Sequence, residues 1–412
     1  MLSFGAKKMG RKVFAFLIAA WSVYACGLRE IGVQKSDEDI WIGPGSIVVG
    51  GSDDIVVGKK VWYAVGVDFP EGYDWRTDDE KGQVKCSLVV FANGIPFMKV
   101  PVGDRYETSS DPDTHRMIEG SLYTDYSSDD ETVVKRNGET IFRYPGREMI
   151  IEMAVRGDSV YTLGQSRDGN GFSYRVNGQV LLERESGYAF DHLQTCEDGL
   201  SFSFCEVIGT GSDAHERYYH YLAGEICQVA VREDIKKVWD IIFMNEQVCY
   251  LASVVGITAP VLAVGSQMDP LEVPQGFEVR SCRFLPQAED LSVEGVVFQR
   301  RKVLFSTLWK GVEMLHYFPS GYTVSSICGS GDGLSCVLNA PRAGVNGIIY
   351  RGGESFDMPE GYMSIGGDTM TIVDGILYLG LTSTAEERAC VWAENEMKPL
   401  KINGFISHMS MN

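Results

Sequence analysis

The chain has 412 residues, of which 37 are Lys or Arg and 56 are Asp or Glu, so its formal net charge at pH 7 is −19. A hydrophobic share of 44% is ordinary for a globular protein and excludes wholesale disorder. The acidic balance argues against nucleic acid as a partner, because phosphate binding requires clustered Lys and Arg. At about 150 residues per domain, the length allows two or three domains or one large all-β domain.

Residues 1–25 have the pattern of an export signal, in which basic residues precede an apolar run over 13–25. That run is shorter than the about 20 residues that a membrane-spanning helix requires. It ends in Val23-Tyr24-Ala25-Cys26, which resembles the lipobox of bacterial lipoproteins, where the peptidase cuts before the cysteine and the thiol takes a diacylglycerol. The resemblance implies a lipidated Cys26 and a chain anchored in the bacterial cell envelope, with the outer membrane as the expected location. The alternative is an ordinary cleaved secretory signal.

Residues 26–51 are predicted to be the lipidated cysteine and a tether. They are rich in glycine and contain the acidic run 36–39, which is typical of loops. Cleavage before Cys26 would remove four cations and no carboxylate. Anionic lipid would repel such an acidic surface, so the acyl chains alone would have to hold it at a membrane.

Nine cysteines follow Cys26, with no C-x-x-C pair and no Cys/His cluster at metal-ligand spacing. We expect them to be mostly buried structural thiols. A disulfide between Cys328 and Cys336 is conceivable only if a three-residue turn places them opposite each other. The commoner two-residue turn would point their side chains to opposite faces, and we expect both thiols to be free.

A repeat with a period of 40 to 46 residues runs along the chain after the tether. Each unit contains a strand-like run, a turn that usually contains glycine, and a second short run, which is the pattern of a β-hairpin. The turn positions are Gly94, Gly138, Gly178, Gly224, Gly265, Gly311, Gly352 and Asn395. In six of the eight units a second hairpin precedes the first. Its turns are Gly157-Asp158, Asp198-Gly199, Asn245-Glu246, Glu289-Asp290, Asp332-Gly333 and Asp374-Gly375.

Two linked hairpins per unit give four short antiparallel strands, which is a β-propeller blade. The predicted fold is therefore an all-β, eight-bladed propeller over residues 52–412, with seven blades and an extra hairpin as the alternative. The pattern V-Y-x-x-G, followed by an aromatic-rich strand that ends in N-G, resembles the blades of bacterial exported β-propeller proteins. We also expect residues 405–411 to form the innermost strand of the blade that holds 61–66, because this closure leaves no free sheet edge at the join.

No motif for catalysis or for a cofactor was found, so we assign no catalytic residue, metal or cofactor. The predicted innermost strands are mostly apolar or Ser/Thr. His192 and His408 fall on them and either line the central channel or are packed. The sequence Asp168-Gly169-Asn170-Gly171 lacks the downstream Glu of a calcium loop and is predicted to be a turn between two strands.

Two unusually long loops, 70–83 and 103–115, are predicted to open on one face near blades 1 and 2. A shorter acidic segment, 125–131, occupies the equivalent position in blade 2. Long loops on a compact domain are usually functional or disordered. The candidate ligand-binding residues are Tyr73, Trp75, Asp78, Asp79, Tyr106, Asp111 and Asp113. The alternative is that these charges only keep the surface soluble.

Two functions fit these observations. The first is a non-catalytic, membrane-tethered recognition or scaffold module for a glycan or protein partner. The second is a polysaccharide-active enzyme that uses two carboxylates on one propeller face. The sequence favours the first, because such enzymes usually place their carboxylates around the central channel and the predicted innermost strands offer few.

Overall fold

A computed structural model describes the protein over residues 61–73, 86–101, 115–166, 170–190, 192–196, 199–210, 213–285, 291–299, 303–329, 334–340, 345–365, 368–383 and 388–411. The predicted export signal, Cys26 and the tether lie outside the described residues. These ranges contain β-strands and turns and no α-helix. Accordingly, no helix within them is long and apolar enough to cross a membrane.

The strands pair antiparallel with their neighbours in the chain and form eight successive groups, numbered here as blades 1 to 8. Blade 1 contains β1 (Trp62–Asp68), β2 (Ser87–Ala92) and β3 (Ile95–Pro101); blade 2 contains β4 (His115–Ile118), β5 (Ser121–Ser127), β6 (Glu131–Arg136) and β7 (Glu139–Pro145). Blade 3 contains β8 (Glu148–Arg156), β9 (Ser159–Ser166), β10 (Phe172–Val176) and β11 (Gln179–Arg184). Blade 4 contains β12 (Gly187–Ala189), β13 (Gln194–Cys196), β14 (Gly199–Ile208), β15 (His215–Leu222) and β16 (Glu225–Gln228).

Blade 5 contains β17 (Ile235–Met244), β18 (Gln247–Val254), β19 (Val261–Val264) and β20 (Gln267–Pro270). Blade 6 contains β21 (Phe277–Phe284), β22 (Ser292–Gln299), β23 (Val303–Lys310) and β24 (Glu313–Tyr317). Blade 7 contains β25 (Thr323–Cys328), β26 (Ser335–Asn339), β27 (Ile348–Arg351) and β28 (Glu354–Asp357). Blade 8 contains β29 (Tyr362–Met363), β30 (Met370–Val373), β31 (Ile376–Ser383), β32 (Arg388–Ala393) and the first half of β33 (Glu396–Met411).

The last strand, β33, closes the ring as the sequence predicts. Its first half pairs with β32 of blade 8, and its second half pairs with β1, where Trp62 lies opposite Met411 and Asp68 opposite Gly404. The strand passes from one blade to the next at Gly404, where a Cβ atom would lie 1.9 Å from the carbonyl oxygen of Val67. Because β33 belongs to both blades, the eight blades form seven continuous sheets.

The predicted hairpin turns organise the blades. All eight predicted outer turns lie between the two outer strands of a blade, for example Asn137-Gly138 between β6 and β7. At that turn both residues have positive φ, 52° and 86°, which is the type I′ geometry that matches strand twist. Three of the six predicted inner turns are confirmed, and the other three lie wholly or partly outside the described residues. The inner turn Glu119-Gly120 of blade 2 was not predicted.

Hydrophobic packing holds neighbouring blades together. Eight clusters of buried apolar residues each join two consecutive blades, and together they run once around the ring. The cluster at the closure joins Trp62 and Phe91 of blade 1 to Val391 and Leu400 of blade 8. Burial of each large apolar side chain contributes about 1.5–3 kcal/mol, so the blade interfaces are the core of the protein.

The blade order defines two faces of the ring. The inner and outer hairpin turns lie on one face, the hairpin face. The connections from the second to the third strand, and from each blade to the next, leave from the opposite face, the loop face. Among the described residues, five innermost strands carry β-bulges, one in each strand except β17, which has two. The extra residues are Ile151, Lys236, Trp239, Arg280, Ser325 and Ser407.

Candidate functional site

A group of charged side chains lies on or next to the innermost strands, near the loop face. We name Arg116, Asp125, Glu152, Asp368 and His408 the channel cluster. Arg116 lies on β4, Glu152 on β8 and His408 on β33, which are the innermost strands of three consecutive blades. The innermost strands are mostly apolar or Ser/Thr, as expected, and these charged residues are exceptions within them. A β-bulge turns a side chain out of the normal alternation, which lets a charged residue occur within a short apolar strand.

Arg116 is the centre of the channel cluster. Its Nη1 atom lies 2.6 Å from Oε2 of Glu152, and its Nη2 atom donates a hydrogen bond to the carbonyl oxygen of the bulge residue Ile151 at 3.0 Å. Burial opposes the positive charge, but Glu152, Asp125 and Asp368 outweigh that effect and raise the pKa of Arg116. Because three carboxylates lie around one guanidinium, this part of the channel has a net negative charge.

His408 lies on the wall of the channel beside Asp368. Its Nδ1 atom is 3.9 Å from Oδ2 of Asp368, and its Nε2 atom has no hydrogen-bond partner among the described residues. Burial lowers the pKa of His408, the positive charge of Arg116 lowers it further, and Asp368 opposes both. The imidazole is therefore neutral at pH 7. The side chain of Asp368 remains 59% exposed.

His192 does not line the channel. It is buried, and its Nε2 atom lies 2.7 Å from Oδ2 of Asp240 on β17. The carboxylate of Asp240 also accepts hydrogen bonds from the backbone N–H of Ile241 at 2.8 Å and of Phe284 at 2.7 Å. These contacts join blades 4, 5 and 6, so we assign the pair a structural role.

A second buried ion pair, between Glu148 and Arg175, lies within blade 3, and Tyr144 connects it to blade 2. Arg175 Nη2 lies 2.8 Å from Glu148 Oε1, and the same carboxylate accepts hydrogen bonds from Ser173 and Tyr144. The guanidinium also lies 4.1 Å from the centre of the Tyr144 ring. The polar side chains of this group bind one another through the ion pair and these hydrogen bonds, which again indicates a structural role.

Of the seven predicted ligand-binding residues, the structure describes Tyr73. Its ring packs on Phe69 at 5.5 Å, and its carbonyl oxygen accepts a hydrogen bond from the side chain of Asn403 at 3.2 Å. Tyr73 is half-buried against the interface of blades 1 and 2, so the first residues of this loop are anchored to the ring. Six predicted residues lie outside the described ranges: Trp75, Asp78, Asp79, Tyr106, Asp111 and Asp113.

Two of the four carboxylates in the acidic segment 125–131 are paired with arginines and a third is buried, so the segment is not a continuous acidic patch. Asp129 lies 2.5 Å from Arg147, Glu131 lies 3.5 Å from Arg143, and Asp125 is buried beside the channel. The sequence identified the segment, but charge type alone does not reveal which cations lie on the neighbouring strands.

The sequence did not single out Arg116, Glu152 or Asp368. One signal was available for Arg116, which directly follows the long loop 103–115 and interrupts a short apolar strand. Glu152 similarly lies within the apolar run of β8. Neither residue has a motif that distinguishes a channel position from an exposed one.

The cysteines are consistent with the expectation of free thiols. All nine cysteines after Cys26 are free in the structure, and Cys227 is the exposed one. Cys328 lies opposite Ser335, so its side chain and that of Cys336 point to opposite faces of the sheet. Burial raises the pKa of Cys328 to about 12. Within the described part of the chain, no group of three or more His, Cys, Asp or Glu residues could hold a metal ion.

No protein-family model matches the chain, and no curated protein matches it. Solved structures similar to it include the β-propeller domain of the Trilobed protease from Pyrococcus furiosus, which has an open velcro topology. That match has 8% identity, a TM-score of 0.43, and covers 72% of this chain and 91% of the other. The dihydro-haem d1 dehydrogenase NirN matches with 10% identity and a TM-score of 0.49, over 84% of this chain and 74% of the other.

A quinonprotein alcohol dehydrogenase-like protein from Bacteroides thetaiotaomicron matches with 10% identity and a TM-score of 0.34, over 85% of this chain and 90% of the other. The strand pairing defines the class: the protein is a β-propeller of four-stranded blades. At such identities the similarity concerns the fold alone and carries no argument about activity.

Proposed function

We propose that the protein is an exported, lipid-anchored β-propeller that recognises a glycan or a protein partner on its loop face without turning it over. One observation carries this proposal. The two long connections, β1–β2 and β3–β4, leave the ring at the loop face, and the second ends at His115, one residue before Arg116 of the channel cluster. Of the predicted ligand-binding residues, Tyr106, Asp111 and Asp113 are therefore joined by chain continuity to the charged mouth of the channel.

The direction of β1 supports a membrane anchor on the far side of the ring. Trp62 begins β1 at the hairpin face, where its carbonyl oxygen accepts a hydrogen bond from the turn residue Asn93 at 3.0 Å. The chain therefore enters the ring from the face opposite the long loops. A lipid on Cys26, at the outer membrane of the cell envelope, would leave the loop face directed towards a partner.

Several described carboxylates are already held in ion pairs or hydrogen bonds within the protein, and this supports recognition over catalysis. A glycosidase needs one carboxyl group to donate a proton and a second to act as base or nucleophile. Glu152 is bound by Arg116, and Asp240 accepts three hydrogen bonds. Glu148 is bound by Arg175. Carboxylates held in this way are positioned to stabilise the ring.

A polysaccharide-active enzyme is the alternative function, and Asp368 is the observation that favours it. Its carboxylate is 59% exposed beside a neutral histidine, on the wall of the channel. If the protein hydrolyses glycans, Asp368→Asn should abolish the release of reducing ends. Our proposal predicts no release of reducing ends by the parent from any glycan that it binds.

A glycan array, with a parallel panel of exported proteins, tests recognition by the full chain in detergent. We expect at least one glycan or protein to be retained. The double variant Tyr73→Ala/Trp75→Ala should lose this binding, whereas Phe356→Ala, which removes an exposed aromatic ring from β28 of blade 7, should keep it. Retention by the double variant equal to that of the parent would contradict the proposed surface.

Metabolic labelling with palmitate tests the anchor. The parent should incorporate label and fractionate with membranes, and Cys26→Ala should lose the label and be released. Membrane association that is unchanged in Cys26→Ala would contradict the lipoprotein assignment, while leaving recognition on the loop face to be judged by the array.

A further inference from the structure

Blade 4 carries a row of three polar side chains on one face of its sheet. Ser203 on β14 lies opposite His220 on β15, and His220 lies opposite Cys227 on β16, the outermost strand of the blade. Directly opposite residues of antiparallel strands have their side chains on the same face, with Cβ atoms about 4.5–5.5 Å apart. We name His220 and Cys227 the Cys–His pair. It lies beside the outer turn of the blade, at the hairpin face.

The imidazole of His220 is held in one orientation. The side chain is buried, and its Nδ1 atom lies 3.0 Å from the hydroxyl oxygen of the buried Ser203. The ring stacks on Phe243 of β17, with ring centres 4.7 Å apart and planes inclined by 17°. A hydrogen bond at one ring nitrogen fixes the ring and leaves the other nitrogen for a ligand, as in histidines that bind metal ions.

The other ring nitrogen of His220, Nε2, is buried and has no hydrogen-bond partner among the described residues. A buried polar atom without a partner is rare in a folded protein and calls for an explanation. In an imidazole the edge opposite Nδ1 carries Cδ2 and Nε2. Because Nδ1 is directed to β14, the edge with Nε2 is directed to β16, the strand that carries Cys227.

Cys227 offers an accessible thiol beside this nitrogen. It is the exposed cysteine among the nine after Cys26. The charged residues of β15 and β16 on the same face are both acidic: Glu225 lies two residues before Cys227, and Glu216 binds the hydroxyl of Tyr218. Arg217 is on the opposite face by alternation. The immediate surroundings of the Cys–His pair therefore favour a cation.

The two donors select the kind of cation. Thiolate and imidazole together suit Cu(I) and Zn(II). Protein zinc sites use three or four side-chain ligands, whereas the described part of the chain has no group of three His, Cys, Asp or Glu that could hold a metal ion. Cu(I) is a soft monovalent ion for which two donors in a line suffice. A nucleophilic thiol with His220 as its base fits less well, because burial lowers the pKa of His220 to about 4.

We propose that the Cys–His pair binds one Cu(I) ion through Sγ of Cys227 and Nε2 of His220, with Ser203 as a positioning residue. The ion replaces the proton of the thiol, which is released to solvent, and the copper keeps its oxidation state. The site is on blade 4 at the hairpin face, so it is separate from the loop face of the proposed function and does not depend on it.

Anaerobic titration of the full chain in detergent with Cu(I), in competition with a chromophoric Cu(I) chelator, tests this inference. We expect one ion to be retained. Affinity should fall about a hundredfold or more in Cys227→Ser and in His220→Phe/Ser203→Ala, because the loss of a ligand exceeds the effect of a change behind the ligand. The matched control Cys196→Ser removes the half-buried thiol of the same blade and should bind as the parent does.

Protection of the thiol is a second readout. Bound Cu(I) should slow the reaction of Cys227 with iodoacetamide in the parent and not in His220→Phe/Ser203→Ala. The inference is overturned if the chelator removes all Cu(I) from the parent, if the histidine variant keeps the parent's affinity, or if equimolar Zn(II) displaces the ion. Melting temperatures equal to that of the parent show that the variants are folded, and Cys227→Ser, at an exposed position, decides the test if the double variant does not fold.

Discussion

The backbone N–H of Met409 donates a hydrogen bond of 2.5 Å to the carbonyl oxygen of Asp368. Met409 lies on the C-terminal strand, which is the innermost strand of blade 1, and Asp368 lies two residues before β30, the innermost strand of blade 8. The preceding residue, His408, forms a parallel bridge with Asp368. First and last blades therefore touch at the channel wall, and the contact that closes the ring also places two side chains of the channel cluster.

Comparison of the outer hairpin turns of blades 2, 3 and 4 predicts a stabilising substitution in blade 4. In blades 2 and 3 the turn asparagine accepts a hydrogen bond from the start of the second strand: Asn137 from Leu122 and Asn177 from Val160, each at 2.9 Å. Ala223 occupies this position in blade 4, with φ of 50°, and its N–H donates to Leu200. Ala223→Asn should therefore raise the free energy of unfolding by about 1 kcal/mol.

Urea denaturation checks this prediction. Asn137→Ala is the matched control, because it removes the same hydrogen bond from blade 2 and should destabilise by a similar amount. An Ala223→Asn variant that is less stable than the parent would show that the blade 4 turn differs in geometry from the others.

The ion pair between Arg116 and Glu152 should show measurable coupling. Their side chains are 23% and 24% exposed, so removing one partner leaves a half-buried charge that has lost its main neighbour. In a double-mutant cycle with Arg116→Met and Glu152→Gln, we expect a coupling energy of about 1–2 kcal/mol from chemical denaturation. The exposed pair Arg232–Asp234 serves as the control, with an expected coupling below about 0.5 kcal/mol. Equal coupling energies for the two pairs would contradict the burial of the channel cluster.

His220 should make stability fall in mild acid. Burial lowers the pKa of His220 from 6.5 to about 4. Between these pH values the unfolded chain binds a proton and the folded chain does not, so stability is full above about pH 6.5 and is lost as pH falls towards 4. The loss is on the order of 2–3 kcal/mol.

Thermal unfolding as a function of pH tests the role of His220. The variant His220→Phe/Ser203→Ala removes the imidazole together with the hydroxyl that lies 3.0 Å from it, so no buried polar group is left unpaired. It should show a shallower decline between pH 6.5 and 4 than the parent. The exposed His215→Asn variant should keep the parent's slope, and an equally steep decline in the double variant would exclude His220 as the cause.

The cysteines should differ in reactivity according to burial. Iodoacetamide should modify the exposed Cys227 of the folded protein first, because the thiolate is the reactive form and burial raises the pKa of Cys328 and Cys336. After unfolding without a reductant, both buried thiols should become alkylated. Detection of a peptide in which Cys328 and Cys336 are bridged would contradict free thiols.

The fold could be predicted from sequence because its signals are local and repeated. Turns such as Asn137-Gly138 require positive φ, and few residues other than glycine and asparagine tolerate it. Their near-constant spacing defines the blade. The closure was predictable because the first blade lacked an inner strand and the C-terminus supplied one. The inner turn Glu119-Gly120 was missed because glutamate gives no turn signal.

The site could be predicted only in part, because it depends on contacts between distant segments. Loop length indicated the face that carries Tyr73, but not the packing of its ring on Phe69. The channel cluster brings Arg116 next to Asp368 from the opposite end of the chain, and no local pattern encodes that approach. The partners of Asp129 and Glu131 were missed for the same reason. Arg143 lies on the neighbouring strand β7, and Arg147 lies in the turn that follows it.

The proposed recognition face depends on a ring that is closed by the C-terminal strand. Hydrogen–deuterium exchange of the full chain tests this closure most directly. Peptides that cover 404–411 should exchange as slowly as those that cover β1 (Trp62–Asp68), because the two strands share one ladder. Deletion of residues 403–412 should abolish cooperative melting and expose sheet edges that aggregate. Rapid exchange throughout 404–411, with a deletion variant that melts as the parent does, would contradict the closed ring.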